Sequence, residues 1–252
     1  MERIDYRRNY VIVIDTETAN TLDENGKLVM NYVLPYDFGW SVIDTTGNVY
    51  EERSFVDSDI FYDEPELMQG AYYAEKIPMY EQDIEEGTRI VASTYEIRDI
   101  LLDDIERYHV KAIMAHNASF DYRAMNNIQR WTTKSKYRYF LPKDIEIWDT
   151  MKMARSIIHK MPTYRKFCEK YNLMTSTGRL STTAENLYRF ITKNPDFVES
   201  HTGLEDVRIE KEIFLYCKRQ HNPLHRGGKP LRWDKHSKSF LVPPALPVVF
   251  FI

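Results

Sequence analysis

An α/β fold, a mixed five-stranded sheet flanked by helices, is what this sequence predicts. Three observations carry that reading. An unbroken β-branched run lies near the start, two strand-like segments follow around a tight turn, and helical and strand patterns alternate from there on. Residues 10–14 (YVIVI) are continuously apolar, as in a strand covered on both faces. Residues 37–44 and 49–57 read as the next two strands, with Thr45-Thr46-Gly47-Asn48 as their hairpin turn. Ile97, Ile100, Leu101 and Ile105 recur at helical spacing within residues 94–108, and residues 111–115 form another buried strand. Further helices are expected at residues 119–131, 150–160, 163–171, 182–193 and 203–220, with a short fifth strand at 146–148. One domain therefore spans residues 1–220, and 221–252 form a tail that is first basic and then apolar.

Bulk properties narrow the function. With 252 residues and 43% hydrophobic side chains, the chain can bury a full core. A net charge of −4 argues against coating long duplex, which needs many cations on phosphates, but not against gripping a few nucleotides beside bound metal. Cys168 and Cys217 stand far apart with no clustered Cys or His, which disfavours structural zinc and disulfides. Residues 1–8 lack the apolar stretch of a signal peptide. Residues 241–252 are too short, and too interrupted by proline, for a span of roughly 20 residues. A cytoplasmic protein without a membrane partner is expected.

Asp15 and Glu17 end the first apolar run. Positions i and i+2 share one face of a strand, so the two carboxylates stand side by side. An isolated Asp-x-Glu is equally well explained as a polar turn. A second acid, Asp121, lies on the apolar stripe of its helix with Ala124, Met125 and Ile128, although a helix N-terminus favours an aspartate anyway. A third, Asp206, aligns with Ile209, Ile213 and Cys217. Buried carboxylates must be paired, protonated or metal-bound. Four of them without clustered Cys or His suit hard divalent cations with oxygen ligands, and two such ions can stabilise both oxygens of an in-line phosphoryl displacement. His201, five residues before Asp206, belongs to the loop ahead of the helix, where an imidazole can reach the metal site as a general base.

Residues 13–18 (VIDTET), 115–121 (AHNASFD) and 201–206 (HTGLED) resemble the three motifs of the DEDDh 3′-5′ exonuclease family, which includes ribonuclease T and the proofreading subunit of bacterial DNA polymerase III. The similarity spans roughly residues 10–219, and the compact form is most similar to exonucleases carried by bacteriophages. The resemblance implies an RNase-H-like fold and two Mg²⁺ or Mn²⁺ ions held by Asp15, Glu17, Asp121 and Asp206, with His201 as general base. It further implies hydrolysis at the 3′ end of single-stranded DNA or RNA, releasing nucleoside 5′-monophosphates in a bacterial or phage-infected cell. Thr18 and Asn117 match positions that touch the terminal nucleotide or support the site, and Phe120, by its place next to Asp121, suits a wedge against a terminal base or core. A homodimer is compatible with the family. Gly203 departs from the alanine usual there, and Asp149 matches a familiar segment but reads as a helix cap.

Two rival readings keep the fold and change the chemistry: an internally cutting nuclease, or a non-catalytic nucleic-acid-binding or polymerase-accessory module. For the substrate's path, residues 129–139 (QRWTTKSKYRY) interleave cations with rings, a mixture that suits single strands or simply forms a polar loop. The basic residues 226–238 are equally ambiguous.

Overall fold

The computed structural model describes residues 4–19, 25, 27, 29 and 32–221. Of the expected tail, residues 221–252, all but His221 lie outside them, and His221 ends the last helix instead. Six strands form one sheet in the order β4-β3-β2-β1-β5-β6: β1 (Tyr10–Ala19), β2 (Leu34–Asp44), β3 (Val49–Asp57), β4 (Ile90–Ala92), β5 (Ala112–Ala115) and β6 (Glu146–Asp149). The first three pair antiparallel, while β3–β4, β1–β5 and β5–β6 pair parallel, so the sheet is mixed. The expected count of five is corrected to six. Ile90–Ala92 is three residues long and gives no periodicity to read, yet it pairs with Phe55–Asp57.

Alternation along β1 divides the core into two layers. Tyr10, Ile12 and Ile14 face one side with Ile97 and Leu101 of α4 (Thr94–Arg107) and Met125 and Ile128 of α5 (Ser119–Thr133). The short helices between β3 and β4 are α1 (Ser58–Phe61), α2 (Pro65–Gln69) and α3 (Ile77–Glu85). Val11 and Val13 face the other side, covered by α6 (Thr150–Ile157), α7 (Pro162–Lys170), α8 (Ala184–Thr192) and the long α9 (Gly203–His221). Asp15 and Glu17 continue the Val11–Val13 alternation and therefore point to the α9 side.

Helix starts follow local chemistry. Ser93 and Glu96 form a capping box on α4, and Asp149 caps α6 by accepting the Lys152 N–H, as its sequence context predicts. The 58–89 region, α1 to α3 with a 3₁₀ turn at Ala74–Lys76, was not anticipated; its helices are short and bury only Ile60, Phe61, Met68 and Tyr80. Among the described residues no helix is long and apolar enough to cross a membrane.

Candidate active site

The first acids sit on an uncovered strand flank. β1 runs on past its apolar stretch, so Asp15 and Glu17 lie inside the strand, opposite Gly39 and Asp37 of β2, instead of ending it. Its parallel partner β5 accompanies only Val11–Val13. Beyond that point the backbone on this flank turns to a side chain: both the N–H and the hydroxyl of Thr16 donate to Asp121 Oδ1, at 3.2 and 2.9 Å. Asp121 stands at the start of α5 and is buried, as the stripe with Ala124, Met125 and Ile128 predicts.

Helix α9 brings the next acid. Its first residue, Gly203, lies on the backbone of Gly39, the residue opposite Asp15; a Cβ on Gly203 would come within 2.7 Å of the Gly39 nitrogen. That contact accounts for glycine where alanine is commoner in the resembled motif. The Gly203 N–H donates to Asp37 Oδ2 at 2.9 Å, and buried Asp37 also accepts from Tyr80 Oη (2.7 Å) and Arg89 Nη1 (3.1 Å). The network fixes the start of α9 over β2 and directs buried Asp206 toward Asp15 and Glu17.

His201 lies before α9, as its spacing to Asp206 requires, with a left-handed backbone (φ 51°). A ring nitrogen of His201 and one carboxylate oxygen each from Glu17 and Asp206 lie within 4.8 Å of one another. The 58–89 region grips this loop. The Tyr73 ring stacks on the imidazole at 4.6 Å and 16°, and Lys76 Nζ donates to the carbonyls of Ser200 and His201 while lying 4.3 Å above the Tyr73 ring. Glu199 Oε2 sits 3.7 Å from His201 Nδ1.

One pocket of about 420 Å³ is lined by Asp15, Glu17, Asp121, Asp206 and His201, together with Thr18, Phe120 and Tyr73. All five sequence-predicted catalytic candidates thus meet. Of the three substrate candidates, Thr18 and half-buried Phe120 reach the pocket. Asn117 does not: its side chain is exposed beside the pocket, and its N–H donates to Asp149 Oδ1. The 129–139 segment is also remote. It begins at Gln129, about 12 Å of helix beyond Asp121, and Lys134 and Lys136 lie over rings of the segment itself, Trp131 and Tyr137.

Two acids join the lining that the sequence reading missed. Glu210 is buried and accepts the His116 N–H at 2.9 Å; it follows Asp206 by four residues, so the same stripe would have revealed it. Glu199 had no periodic signal. Crowding and burial raise these carboxyls. Burial lifts Asp206 to about 9, with Glu199 and Glu17 adding repulsion, and Glu17 to about 8, with Asp37 next. Asp121 is lifted to about 7 by burial against the pull of the Thr16 bonds, and Asp15 rises well above its usual range through burial and then Asp121 and Glu210. His201 moves the other way, lowered first by burial and then by Lys76, so its imidazole is neutral at neutral pH.

A divalent cation fits this donor set. Asp206 Oδ1 and Glu210 Oε2 are buried with no hydrogen-bond partner among the described residues, an arrangement that costs free energy unless a proton or a cation answers it. The donors are carboxylate oxygens, with one imidazole beside them, the preference of a hard ion over zinc.

The fold is that of known nuclease domains. The nuclease domain of 3′hExo, a DEDDh family member solved bound to rAMP, superposes with a TM-score of 0.55 at 12% identity, covering 85% of this chain and 94% of that one. Product-bound exonuclease I gives 0.53 at 18% identity (86% and 45%), and E. coli exonuclease I with a dT13 oligonucleotide gives 0.52 at 18% (86% and 42%). This chain spans less than half the length of exonuclease I. No family model and no curated protein matches the sequence.

Proposed function

We propose that this chain is a metal-dependent 3′-5′ exonuclease that hydrolyses the terminal phosphodiester of single-stranded DNA or RNA and releases nucleoside 5′-monophosphates. One observation carries the reading: Asp15, Glu17, Asp121, Asp206 and His201, distant in sequence, line a single pocket. The shared fold of 3′hExo and exonuclease I, the latter solved with a dT13 oligonucleotide, supports it. Asp15, Glu17, Asp121 and Asp206 would hold two Mg²⁺ or Mn²⁺ ions. When bound, such ions supply charge stabilisation for the attacking and leaving oxygens. His201, neutral and held by Tyr73, takes the proton of the attacking water at its ring nitrogen. Thr18 and Phe120 border the space for the terminal nucleotide.

The deciding assay offers 5′-labelled single-stranded DNA, single-stranded RNA and blunt duplex to the purified protein with Mg²⁺. A ladder shortening one nucleotide at a time from the 3′ end is expected on a single strand. Internal cuts, or no cleavage with either ion, would refute the proposal.

A further inference from the structure

Two rims of opposite charge flank the pocket, the first within its lining and the second bonded to the residues before Ala184. One is the 58–89 region, which adds Tyr72 and Tyr73 to the lining and carries nine acidic residues against two basic ones. Both of its cations are turned inward, Lys76 onto the carbonyls of Ser200 and His201 and Arg89 onto buried Asp37. The other rim is α6, α7 and the loop after them. From Lys152 to Arg179 it holds seven Lys and Arg against one acid, Glu169. Arg155, Lys160, Arg165, Lys166 and Arg179 are exposed there, and among the described residues none of the five is in an ion pair.

This basic rim reaches the pocket wall. Ala184 lines the pocket, and Ser181 and Thr182, just before it, are bonded to the rim. Arg155 Nη2 donates to Thr182 Oγ1 at 3.4 Å, and Tyr164 Oη and His159 Nε2 each meet the Ser181 carbonyl at 2.9 Å. His116, itself in the lining, contacts the Thr182 carbonyl through Nε2 at 2.7 Å. A strand carrying one negative charge per nucleotide meets repulsion over the first rim and unpaired cations over the second.

We propose that a single-stranded nucleic acid with its 3′ end in the pocket lays its upstream phosphates across the face between Lys152 and Arg179, away from the acidic 58–89 region. The proposal rests on the exonuclease reading and adds the strand's path to it. The test separates the two by measuring binding in EDTA and cleavage in Mg²⁺. Arg155→Glu/Arg165→Glu/Lys166→Glu is expected to weaken binding of a labelled 20-mer at least ~30-fold at low salt. The slope of log Kd against log salt should fall by about 2, at about 0.7 per lost single-strand phosphate contact. Hydrolysis of a dinucleotide, too short to reach this face, should stay within about twofold of the parent. The corresponding glutamine triple, which spares the fold from charge reversal, should move binding the same way by less. Glu66→Lys/Glu81→Lys on the opposite rim should leave 20-mer affinity unchanged or tighter. Parent-like binding by both triples, or a loss from the acidic-rim variant matching theirs, overturns the path. A parent protein that binds the 20-mer but cleaves nothing counts against the exonuclease reading alone, and the binding comparison still decides the path.

Discussion

The two walls of the pocket are built differently. On one side Asp15, Asp121 and Glu210 stand on regular elements, and two of them are tied by backbone donors, Asp121 by Thr16 and Glu210 by His116. On the other side Glu17 and Asp206 share their space with His201, whose loop has a left-handed backbone and is held from outside by Tyr73 and Lys76. The first wall is preformed by the sheet and its flanking helices. In the second, the His201 loop depends on a clamp contributed by a different region of the chain, so the imidazole's position is separately adjustable. Changes in the acids of either wall should therefore act on metal retention, and changes in the clamp on catalytic rate.

The largest effect is expected from the acids. Asp15→Asn and Asp206→Asn each remove a carboxylate that would hold metal, and turnover should fall below detection in a 3′-labelled release assay. Both residues carry raised pKa values because their charge is opposed by burial and like neighbours. The metal-free variants should therefore melt no lower than the parent, and several degrees higher above pH 7. A variant that keeps parent turnover removes its residue from the machinery. One that unfolds shows instead that the acid has a structural partner.

His201→Ala comes next, with a loss of roughly 10²–10⁴-fold in kcat, the usual worth of a positioned general base. Mn²⁺ affinity, read by titration calorimetry, should stay within a few fold of the parent, since the four acids are intact. A drop in Mn²⁺ affinity as large as that of Asp206→Asn would erase the distinction between the walls.

Tyr73→Ala tests the clamp itself. Loss of the stacked ring frees the imidazole, and kcat should fall about tenfold at unchanged Mn²⁺ affinity, because even small misplacement of a catalytic group is costly. Tyr73→Phe keeps the ring face and should restore most of the rate. If alanine behaves like phenylalanine, the stacking is idle and both walls belong to the same rigid frame.

The difference between the walls also explains what could be read from sequence. Asp121 and Asp206 were legible because each sits where helical spacing demands an apolar residue, next to Ala124–Met125–Ile128 and Ile209–Ile213–Cys217. Glu210 obeyed the same rule one turn later. The extent of β1 was misjudged because Asp15 and Glu17 interrupt the apolar run, although the backbone continues to pair with β2. Tyr73 and Lys76 were invisible for a different reason. Their region folds as helices of four, five and nine residues, too short for a stripe to stand out, and it docks through single contacts such as Arg89 with Asp37. A side chain that acts across some 130 positions of chain leaves no local period.

The smallest expected effect, a pH slope in stability, probes the walls without mutation. An unfolded carboxyl loses its proton near pH 4, whereas in the fold Asp121 keeps its proton to about 7, Glu17 to about 8 and Asp206 to about 9. Between those limits the folded protein binds more protons than the unfolded chain, so stability is greatest below pH 4 as far as these groups are concerned and falls as pH rises toward 9. In EDTA, Tm should decline by several degrees from pH 5.5 to 8.5. With saturating Mn²⁺ the decline should vanish or reverse, because the cation binds the ionised form and its stabilisation grows with pH. Asp206→Asn should shallow the EDTA slope throughout and most completely between about pH 8 and 9, leaving the lower part to Glu17 and Asp121. A metal-free Tm that is flat across this range would mean that the acids ionise freely at neutral pH, each with a solvent or side-chain partner. The pocket's claim on divalent cations would then lose its electrostatic basis.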